Sequence, residues 1–541
     1  MQHHEPFTGH QQRLLEYTRS ILPDAATCPV GTLSYSKLVQ ISNCIDQWIS
    51  SGEHRYLGAE QAELLLKRLI VERGGGRSRW AAGGDAGGEK EELYKRMNLQ
   101  GHASDGRSTT LRRNEDVTWH MYNFPSIVRY LNALYTGKDF VNRILSIVAL
   151  FEEEFADDDS HGSDARPLEV RYKYMITCLC DCRTPHAASA AEHVLHSFES
   201  RLRGNPGYHS NPPTVETYNN VMSCWNKAQC TRYPPGMGPP GYFHHPNPCS
   251  NLLCHMLEQF DANAANMAWI KPDFLSFNTA ITSLAAEQID HTWRRGDGSG
   301  DNYQHTIGRQ CHAHLMSMLE LYDDGHPRCT PDLITFSTVL NTLGRGRDEG
   351  DATRAQEVLD AMLRLSGKQD GDDGGAVFEY DIVPRTRHFN IVLSLMAHAP
   401  KDSRRETLSR AERYVSIMER LGEREKEDRT TTNLPQTHNE IPVEERHVGK
   451  VDLDDETLLS MTSSAPNVIT YNTLLNIAGQ AGQPQKAQYI LESMMKNAHI
   501  AEARAVKPDI ISFNTVSLIP PLCTFLSDPY FEKFEPVFCT V

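Results

Sequence analysis

Two groups of cysteine and histidine residues are the first candidates for chemistry in this sequence, because thiolate and imidazole groups bind Zn²⁺. Cys178, Cys180 and Cys182 are each two residues apart, so on a helix the first and last share a face and the middle one does not. The other group has suitable residue types but matches no zinc-site spacing, and it consists of His244, His245, Cys249 and Cys254. We therefore predict no metal site and interpret the closely spaced thiols as core-filling side chains.

Motifs of known catalytic sites are absent from the sequence. It contains no glycine-rich phosphate-binding loop, no Gly-x-Ser-x-Gly nucleophile elbow and no His-Glu-x-x-His segment. We predict that the chain is not an enzyme and that it holds no cofactor.

The meaning of the net charge depends on where the acidic residues lie. The 541 residues include 54 Lys and Arg against 70 Asp and Glu, and the net charge of −16 by itself argues against binding nucleic acid. However, residues 151–165, 366–381 and 423–456 together contain 23 acidic and six basic residues, a net charge of −17. The rest of the chain is therefore close to neutral, and the charge does not exclude RNA as a partner.

The sequence carries no clear signal for a membrane or for export. No stretch approaches 18 consecutive apolar residues, so we expect no membrane insertion. The 13 cysteines are an odd number spread over a long chain, which fits a reducing compartment better than a disulfide framework. The first residues lack the layout of a secretory signal, and Glu5, Glu16 and Asp24 are unusual in an organelle presequence.

A phrase of seven residues occurs six times in the chain and predicts the elements that position its polar residues. Each copy starts with Pro and ends with an aromatic residue followed by Asn or Ser, and the copies span residues 213–219, 272–278, 331–337, 384–390, 466–472 and 508–514. The Pro ends the preceding element, and the Asp or Asn after it in most copies is suited to cap the first turn of a helix. Each phrase therefore predicts the start of a helix.

The residues after each phrase predict a helical hairpin. In the fifth copy, apolar residues recur with helical spacing at Val468, Tyr471, Leu474, Leu475 and Ala478. A second helix follows most phrases, with a small residue and then apolar residues at i+3, i+4 and i+7. Since one hairpin cannot bury its apolar faces alone, we predict an all-α superhelical solenoid of stacked helix-turn-helix hairpins, with a concave surface and disordered acidic inserts.

These patterns divide the chain into eight segments. We expect a poorly ordered N-terminal segment at residues 1–32 and a degenerate hairpin at residues 33–72. A Gly-rich charged insert follows at residues 73–116, and a helical candidate repeat with an acidic end at residues 117–165. The repeat array with inserts covers residues 166–422, and an acidic disordered insert covers residues 423–464. One repeat with the start of the next covers residues 465–516, and a truncated or atypical tail covers residues 517–541.

The repeat resembles the pentatricopeptide repeat family. The clearest copy reads Pro-Asn-Val-Ile-Thr-Tyr-Asn-Thr-Leu-Leu from residue 466, followed by Gly-Gln-Ala-Gly and a second helix over residues 486–494. The Trp…Leu-Gly…Tyr pattern of tetratricopeptide repeats, the nearest lookalike, is not found. The clear resemblance covers residues 213–516, and it is to P-type members, which have no appended catalytic domain.

The resemblance implies binding of single-stranded RNA on the concave face, with one nucleotide per repeat. In that family, the Asn after the aromatic residue acts with the residue that follows the Pro of the next repeat. The residues at these positions are Asn219, Asp273, Asn278, Asp332, Ser337, Asn390, Asn467, Asn472, Asp509 and Asn514. An aliphatic residue three positions before the Asn packs on the base, and the residues that suit this role are Leu275, Ile334, Ile469 and Ile511.

The family pattern also implies a base preference. The pairs that favour uracil are Asn219 with Asp273, Asn278 with Asp332, and Asn472 with Asp509. Asn390 with Asn467 favours cytosine. The pairs that depart from the family pattern, and to which no base is assigned, are Ser337 with Arg385 and Lys173 with Thr214. Glu216 and Arg387 stand where the aliphatic residue is expected. The implied target is pyrimidine-rich and leans towards uracil.

Other interpretations remain open for the sequence. The Asn can hydrogen-bond within its hairpin and the Asp can serve only as a helix cap. The concave surface can bind a protein partner instead of RNA, in which case the chain is a scaffold. The chain can also be a fragment of a longer protein of the same kind.

The resemblance further implies a mitochondrial or plastid protein that acts in organellar RNA processing, stability or translation.

Overall fold

The computed structural model is all-α over the residues that it describes. These residues are 9–21, 35–50, 55–74, 119–154, 168–204, 213–238, 246–262, 270–293, 301–346, 348, 350–367, 382–398, 403–431, 463–497 and 506–519. They form eighteen α-helices and no strand. The predicted all-α class and helical-repeat architecture are confirmed. Within the described ranges, each helix is too short or too polar to cross a bilayer.

The chain forms two compact units, Met1–Ser283 and Leu284–Val541. The helices that begin in the first unit are α1 Gly9–Ile21, α2 Tyr35–Ser50, α3 Arg55–Gly74, α4 Trp119–Leu134, α5 Gly137–Glu154, α6 Leu168–Cys180, α7 Pro185–Gly204, α8 Val215–Lys227, α9 Pro248–Ala262 and α10 Phe274–Trp293. The helices of the second unit are α11 Asp301–Asp323, α12 Leu333–Arg345, α13 Asp351–Gly367, α14 Thr386–Met396, α15 Arg404–Thr431, α16 Val468–Gln480, α17 Pro484–Asn497 and α18 Ile510–Ser517.

Within each unit, most successive helices pair into hairpins, and hairpins pack on those before them. In the first unit, α8 contacts both α6 and α7, which form the preceding hairpin. In the second unit, α14 contacts α12 and α13, α16 contacts α14 and α15, and α18 contacts α16 and α17. The first helix of a hairpin therefore covers both helices of its predecessor, which is how stacked repeats bury a continuous core.

The helices start where the phrases predict, and in most of them the side chain after the Pro caps the first turn; Thr214 and Arg385 are N-cap residues without such a hydrogen bond. The Asp332 carboxylate accepts a hydrogen bond of 2.7 Å from the Thr335 backbone N–H, and Asp509 accepts one of 2.8 Å from Ser512. Asn467 does the same with Thr470 at 3.1 Å. An N-cap of this kind contributes about 1 kcal/mol. The cap fixes the first helical residue, and hence the position of every residue after it.

The apolar pattern of each hairpin forms the core. The aromatic residue of every phrase is buried, and these residues are Tyr218, Phe277, Phe336, Phe389, Tyr471 and Phe513. The small residue of the second helix is buried too, as at Ala191, Ala355, Ala411 and Ala487. A buried large apolar side chain contributes roughly 2–3 kcal/mol. The aromatic residue therefore anchors the first helix of each repeat to the core.

Two segments that we expected to be poorly ordered each contain helical residues. The N-terminal segment contains helix α1, in which Leu14 and Ile21 are buried, and the Trp48 indole N–H donates to Thr18 at 2.9 Å. Its short apolar pattern gains stability from packing on α2, which the sequence does not reveal. The acidic segment that begins at residue 423 is helical up to Thr431, because its Glu, Arg and Lys residues are good helix formers.

Other predicted segments are described in part or not at all. Residues 117–165 contain α4, which packs mainly on α2 and α3, and α5, which packs mainly on α7, while the contact between α4 and α5 is small. Most of the inserts at 73–116 and 423–464, and most of the tail at 517–541, lie outside the described residues. Of the thiols considered as metal ligands, Cys178 and Cys180 are buried in or at the end of α6, Cys182 lies beyond that helix, and Cys249 is buried in α9. His244 and His245 lie outside the described residues.

Candidate nucleic-acid interface

The polar residue that ends each phrase always occupies the same place in its helix. Each is the fifth residue of its helix, and these residues are Asn219, Asn278, Ser337, Asn390, Asn472 and Asn514. The capped start and the buried aromatic residue before it fix this register. The implied RNA-binding residues therefore repeat with the hairpins.

In the first unit, Asn219 is joined to the cap residue of the following helix. Its side-chain N–H donates to Asp273 at 3.0 Å, and its side-chain oxygen accepts from the Ser276 hydroxyl at 2.7 Å. Asp273 also accepts from the Ser276 backbone N–H at 3.0 Å. This closed network fixes which end of the amide faces Asp273. Asn219 is only 5% exposed.

In the second unit, Asn472 makes the same network with the cap of α18. Its side-chain N–H donates to Asp509 at 3.0 Å, and the Ser512 hydroxyl donates to its side-chain oxygen. Partial burial opposes ionisation of Asp509, but hydrogen bonds from Ser512 and Asn472 outweigh it and lower the pKa of the carboxyl group. The pair thus presents an oriented amide beside a carboxylate that stays ionised at neutral pH.

Asn390 and Asn467 form an amide–amide version of this joint. The Asn390 side-chain N–H donates to the Asn467 side-chain oxygen at 3.2 Å, and the Thr470 hydroxyl donates to the Asn390 oxygen at 2.7 Å. The three Asn pairs with an implied base that lie within one unit are therefore each in direct contact, across consecutive hairpins rather than within one.

The remaining implied residues lie on other helices of the two units. Asn278 lies in the first unit and Asp332 in the second, where Asp332 caps α12. Asn514 is exposed on α18. Lys173 is half-buried on α6, and Thr214 is the N-cap residue of α8, where its hydroxyl lies 3.4 Å from that of Thr217.

Ser337 pairs with a histidine that the sequence analysis did not consider. The His388 Nε2 atom lies 2.8 Å from the Ser337 hydroxyl oxygen, which donates to the Leu333 carbonyl at 2.6 Å. The Arg385 backbone N–H donates to His388 Nδ1 at 2.9 Å, so neutral His388 carries its proton on Nε2 and donates to Ser337. The Arg385 guanidinium lies 3.6 Å from Glu425 instead. The available signal was a His at the phrase position where all five other phrases have Ser or Thr.

The electrostatic surroundings keep His388 neutral. Burial, together with the nearby Arg387 and Arg385 charges, lowers the pKa of His388 to about 4. The hydrogen bond to Ser337 therefore persists at physiological pH.

The implied base-packing residues are large apolar side chains left in solvent. Their exposed fractions run from 53% for Leu275 to 71% for Ile334, with Ile469 and Ile511 between them. Each lies three residues before the phrase Asn or Ser, so the two side chains share one face of the helix. Glu216 and Arg387 take this place in two repeats and are also exposed, with Arg387 donating to Asn341 at 3.0 Å.

Stacked helical hairpins with an oriented polar pair at each joint define a helical-repeat protein. Residues 464–517 match the family model of the pentatricopeptide repeat domain. This match supports a pentatricopeptide repeat protein, and proteins of this family generally bind RNA and are generally non-catalytic. No curated protein and no solved structure is detectably similar to the chain.

Proposed function

We propose that this chain binds single-stranded RNA, with one nucleotide per repeat and a preference for pyrimidines, above all uracil. The observation that carries the proposal is the recurrent joint between a phrase Asn and the next helix cap, beside an exposed aliphatic side chain. An exposed apolar residue next to oriented hydrogen-bonding groups is suited to stack on a base and read its edge.

The chemistry of the pairs supports the base preference. Each Asn side-chain nitrogen has two hydrogens, and one of them is used in the joint, so the other is available to a base. Uracil presents an N3–H donor, which a carboxylate such as Asp509 accepts. Cytosine presents an N3 acceptor, to which the Asn467 amide donates. The Asn–Asp joints therefore suit uracil and the Asn390–Asn467 joint suits cytosine.

The joints differ in exposure and in the side chain beside them, so we expect them to contribute unequally to RNA affinity. Asn219 is nearly buried and has Glu216 in place of the aliphatic residue, whereas Asn472 is half-buried and has Ile469. We therefore expect Asn472 to contribute more to RNA affinity than Asn219.

Binding of the purified chain to uracil-rich, cytosine-rich and purine-rich single strands tests the proposal. We expect the uracil-rich strand to bind about tenfold more tightly than the purine-rich strand, a difference of about 1.4 kcal/mol. Equal affinity for all three strands would contradict the base preference. Absence of salt-sensitive RNA binding would favour the protein-scaffold interpretation instead.

We further propose that the chain acts on organellar RNA, in processing, stability or translation, by covering or remodelling the strand without cleaving it. This part of the proposal is supported only by the family resemblance. Imaging of the chain with a fluorescent protein at its C-terminal end tests it, and signal that excludes mitochondria and plastids would contradict it.

A further inference from the structure

A buried cluster of His196, Glu199 and His255 lies in the first unit and contains none of the implied RNA-binding residues. His196 and Glu199 are one helical turn apart on α7, and His255 lies on α9, the second helix of the next hairpin. The His255 Nε2 atom is 3.0 Å from both Glu199 oxygens, and the His196 Nδ1 atom is 3.3 Å from one of them. Glu199 is 7% exposed and His255 is 2% exposed.

The surroundings of the cluster favour a positive charge. Helix α7 carries two buried carboxylates, Glu192 and Glu199, and His196 lies between them. Glu192 accepts from the Trp225 indole at 3.0 Å and from the Tyr233 hydroxyl at 2.6 Å, which are neutral donors. Buried carboxylates are costly unless a cation balances them.

We propose that His196, Glu199 and His255 bind a divalent transition-metal ion of the Zn²⁺ type. Each residue offers one ligand atom, and these atoms all lie within 4.8 Å of one another. Ligands at the usual 2.0–2.1 Å from a tetrahedral ion are about 3.3 Å apart. The two imidazole–carboxylate separations of 3.0 and 3.3 Å already approach that value.

The donor set selects the class of ion. Two imidazoles and one carboxylate suit Zn²⁺ and its neighbours, whereas Mg²⁺ and Ca²⁺ prefer oxygen ligands. Binding displaces protons from the imidazole nitrogens that become ligands, and these protons pass to solvent. A divalent ion then balances both buried carboxylates.

A neighbouring hydroxyl orients the carboxylate. The Tyr218 hydroxyl donates to Glu199, and a hydrogen-bonded partner of this kind fixes a ligand's direction and strengthens metal binding. Tyr218 is the aromatic residue of the first phrase and immediately precedes Asn219. The ion would join α7 to α9 beneath the first polar residue of the repeated surface. The site is therefore a structural one, independent of whether the chain binds RNA.

Metal analysis of the purified chain tests the proposal. The chain is stripped with a chelator, dialysed, and titrated with Zn²⁺ and, in parallel, with Co²⁺. We expect about one more equivalent of bound metal in the wild type than in His255→Gln or Glu199→Gln. His193→Gln is the matched control, because His193 lies on the same helix but contacts the Ser189 carbonyl at 2.8 Å rather than the cluster. It should keep the full amount.

The Co²⁺ form distinguishes this site from the chain's 13 cysteines. Binding at the cluster gives visible bands of a tetrahedral ion with nitrogen and oxygen ligands, without the thiolate-to-metal band in the near ultraviolet. We also expect Zn²⁺ to raise the midpoint of thermal unfolding by roughly 5 °C in the wild type and in His193→Gln, but not in His255→Gln. Circular dichroism establishes that each variant remains folded.

Two results would overturn the proposal. The first is equal metal content and equal thermal shift in the wild type and His255→Gln. The second, which needs no variant and so holds even if the substitutions prevent folding, is a wild-type Co²⁺ spectrum that shows only thiolate ligation or no specific band. Either result would leave the cluster as a buried hydrogen-bonded ion pair.

Discussion

The joint between repeats is built in two chemical forms. In three joints an Asn amide is held by the cap residue and by the Ser or Thr hydroxyl of the next helix. In the fourth joint, the hydroxyl belongs to Ser337 on α12, and His388 on α14, in the next hairpin, supplies the nitrogen. Both forms keep a hydrogen bond between consecutive hairpins, but one offers an Asn amide to a ligand and the other offers a Ser hydroxyl and an imidazole. Each form makes its own prediction.

The His388 joint predicts a dependence of stability on pH. An imidazole has a pKa near 6.5 in an unfolded chain, whereas in the folded chain the pKa is about 4. Between these values only the unfolded chain takes up the proton. The stabilising contribution of neutral His388 is therefore complete above about pH 6.5 and is lost as the pH falls towards 4.

Urea unfolding of the wild type and His388→Gln at pH 7 and pH 4.5 measures this effect. We expect the wild type to be more stable by roughly 1–3 kcal/mol at pH 7, and most of that difference to be absent at pH 4.5. His398→Gln, at an exposed site that contacts the Ser394 carbonyl at 2.8 Å, is the control. A pH-independent difference for His388→Gln would show that the imidazole does not titrate in this way.

The Asn472–Asp509 joint predicts a switch in base preference. Asp509→Asn recreates the pair that Asn390 and Asn467 already form, and Asn is as good a helix cap as Asp, so folding should not change. We expect one position of the bound strand to shift from uracil towards cytosine by about tenfold in relative affinity. Strands with single uracil-to-cytosine changes locate that position, and an unchanged preference at every position would count against reading by this pair.

At the scale of helices, the sequence predicted the starts well, because a start depends on local chemistry. Pro and a buried aromatic residue are close together in every phrase, most phrases add a capping side chain, and the polar residue that ends each phrase is the fifth of its helix. Helix α1 and the end of α15 were not predicted, since they depend on packing and on the helix propensity of charged residues.

Contacts between distant residues were harder to predict than the helices that carry them. His255 and Glu199 are 56 residues apart in the chain and meet because two second helices are neighbours. Only the His196-x-x-Glu199 spacing, which places two ligands on one face of a helix, was visible in the sequence. His388 was visible as a residue type, but its partner Ser337 became clear only from the packing of α12 on α14.

We expect replacement of an exposed apolar residue to weaken RNA binding on the first helix of a hairpin but not on the second. Ile469 is exposed on α16 beside Asn472, and Tyr489 is exposed on α17 of the same hairpin. Ile469→Thr should change the free energy of unfolding by less than about 0.5 kcal/mol while weakening RNA binding by roughly threefold to tenfold, because a base loses its apolar contact.

Tyr489→Thr is the control for this substitution, and we expect its RNA affinity to match that of the wild type. Binding isotherms and thermal unfolding of the two variants give both quantities. A comparable loss of RNA affinity in both variants would contradict an interface on the first helices.

At the scale of the whole molecule, charge should set the dependence of RNA binding on salt. The acidic stretches carry a net charge of −17, and the rest of the chain is close to neutral. Residues 440–456 hold seven of these acids, at Glu440, Glu444, Glu445, Asp452, Asp454, Asp455 and Glu456. Replacing them with their amides changes the net charge from −16 to −9 without shortening the chain.

We expect this amide variant to bind RNA several-fold more tightly than the wild type at about 20 mM salt, since it repels phosphates less. Near 300 mM salt the two proteins should bind alike, because ions screen charges beyond the Debye length. Binding measured across a salt series checks both statements. An advantage that persists at high salt would mean that these residues act by direct contact.

The joints also determine what unit of this protein can be exchanged. Asn472 and Asp509 belong to consecutive hairpins, so a single hairpin moved into another array carries half of one joint and half of another. On the proposed binding of one nucleotide per repeat, such a graft would alter two adjacent nucleotides of the target. The segment from residue 472 to residue 509 instead carries both halves of one joint. Recombination or design that changes one nucleotide of the target at a time should therefore place its segment boundary inside the first helix of a hairpin, just before the phrase Asn.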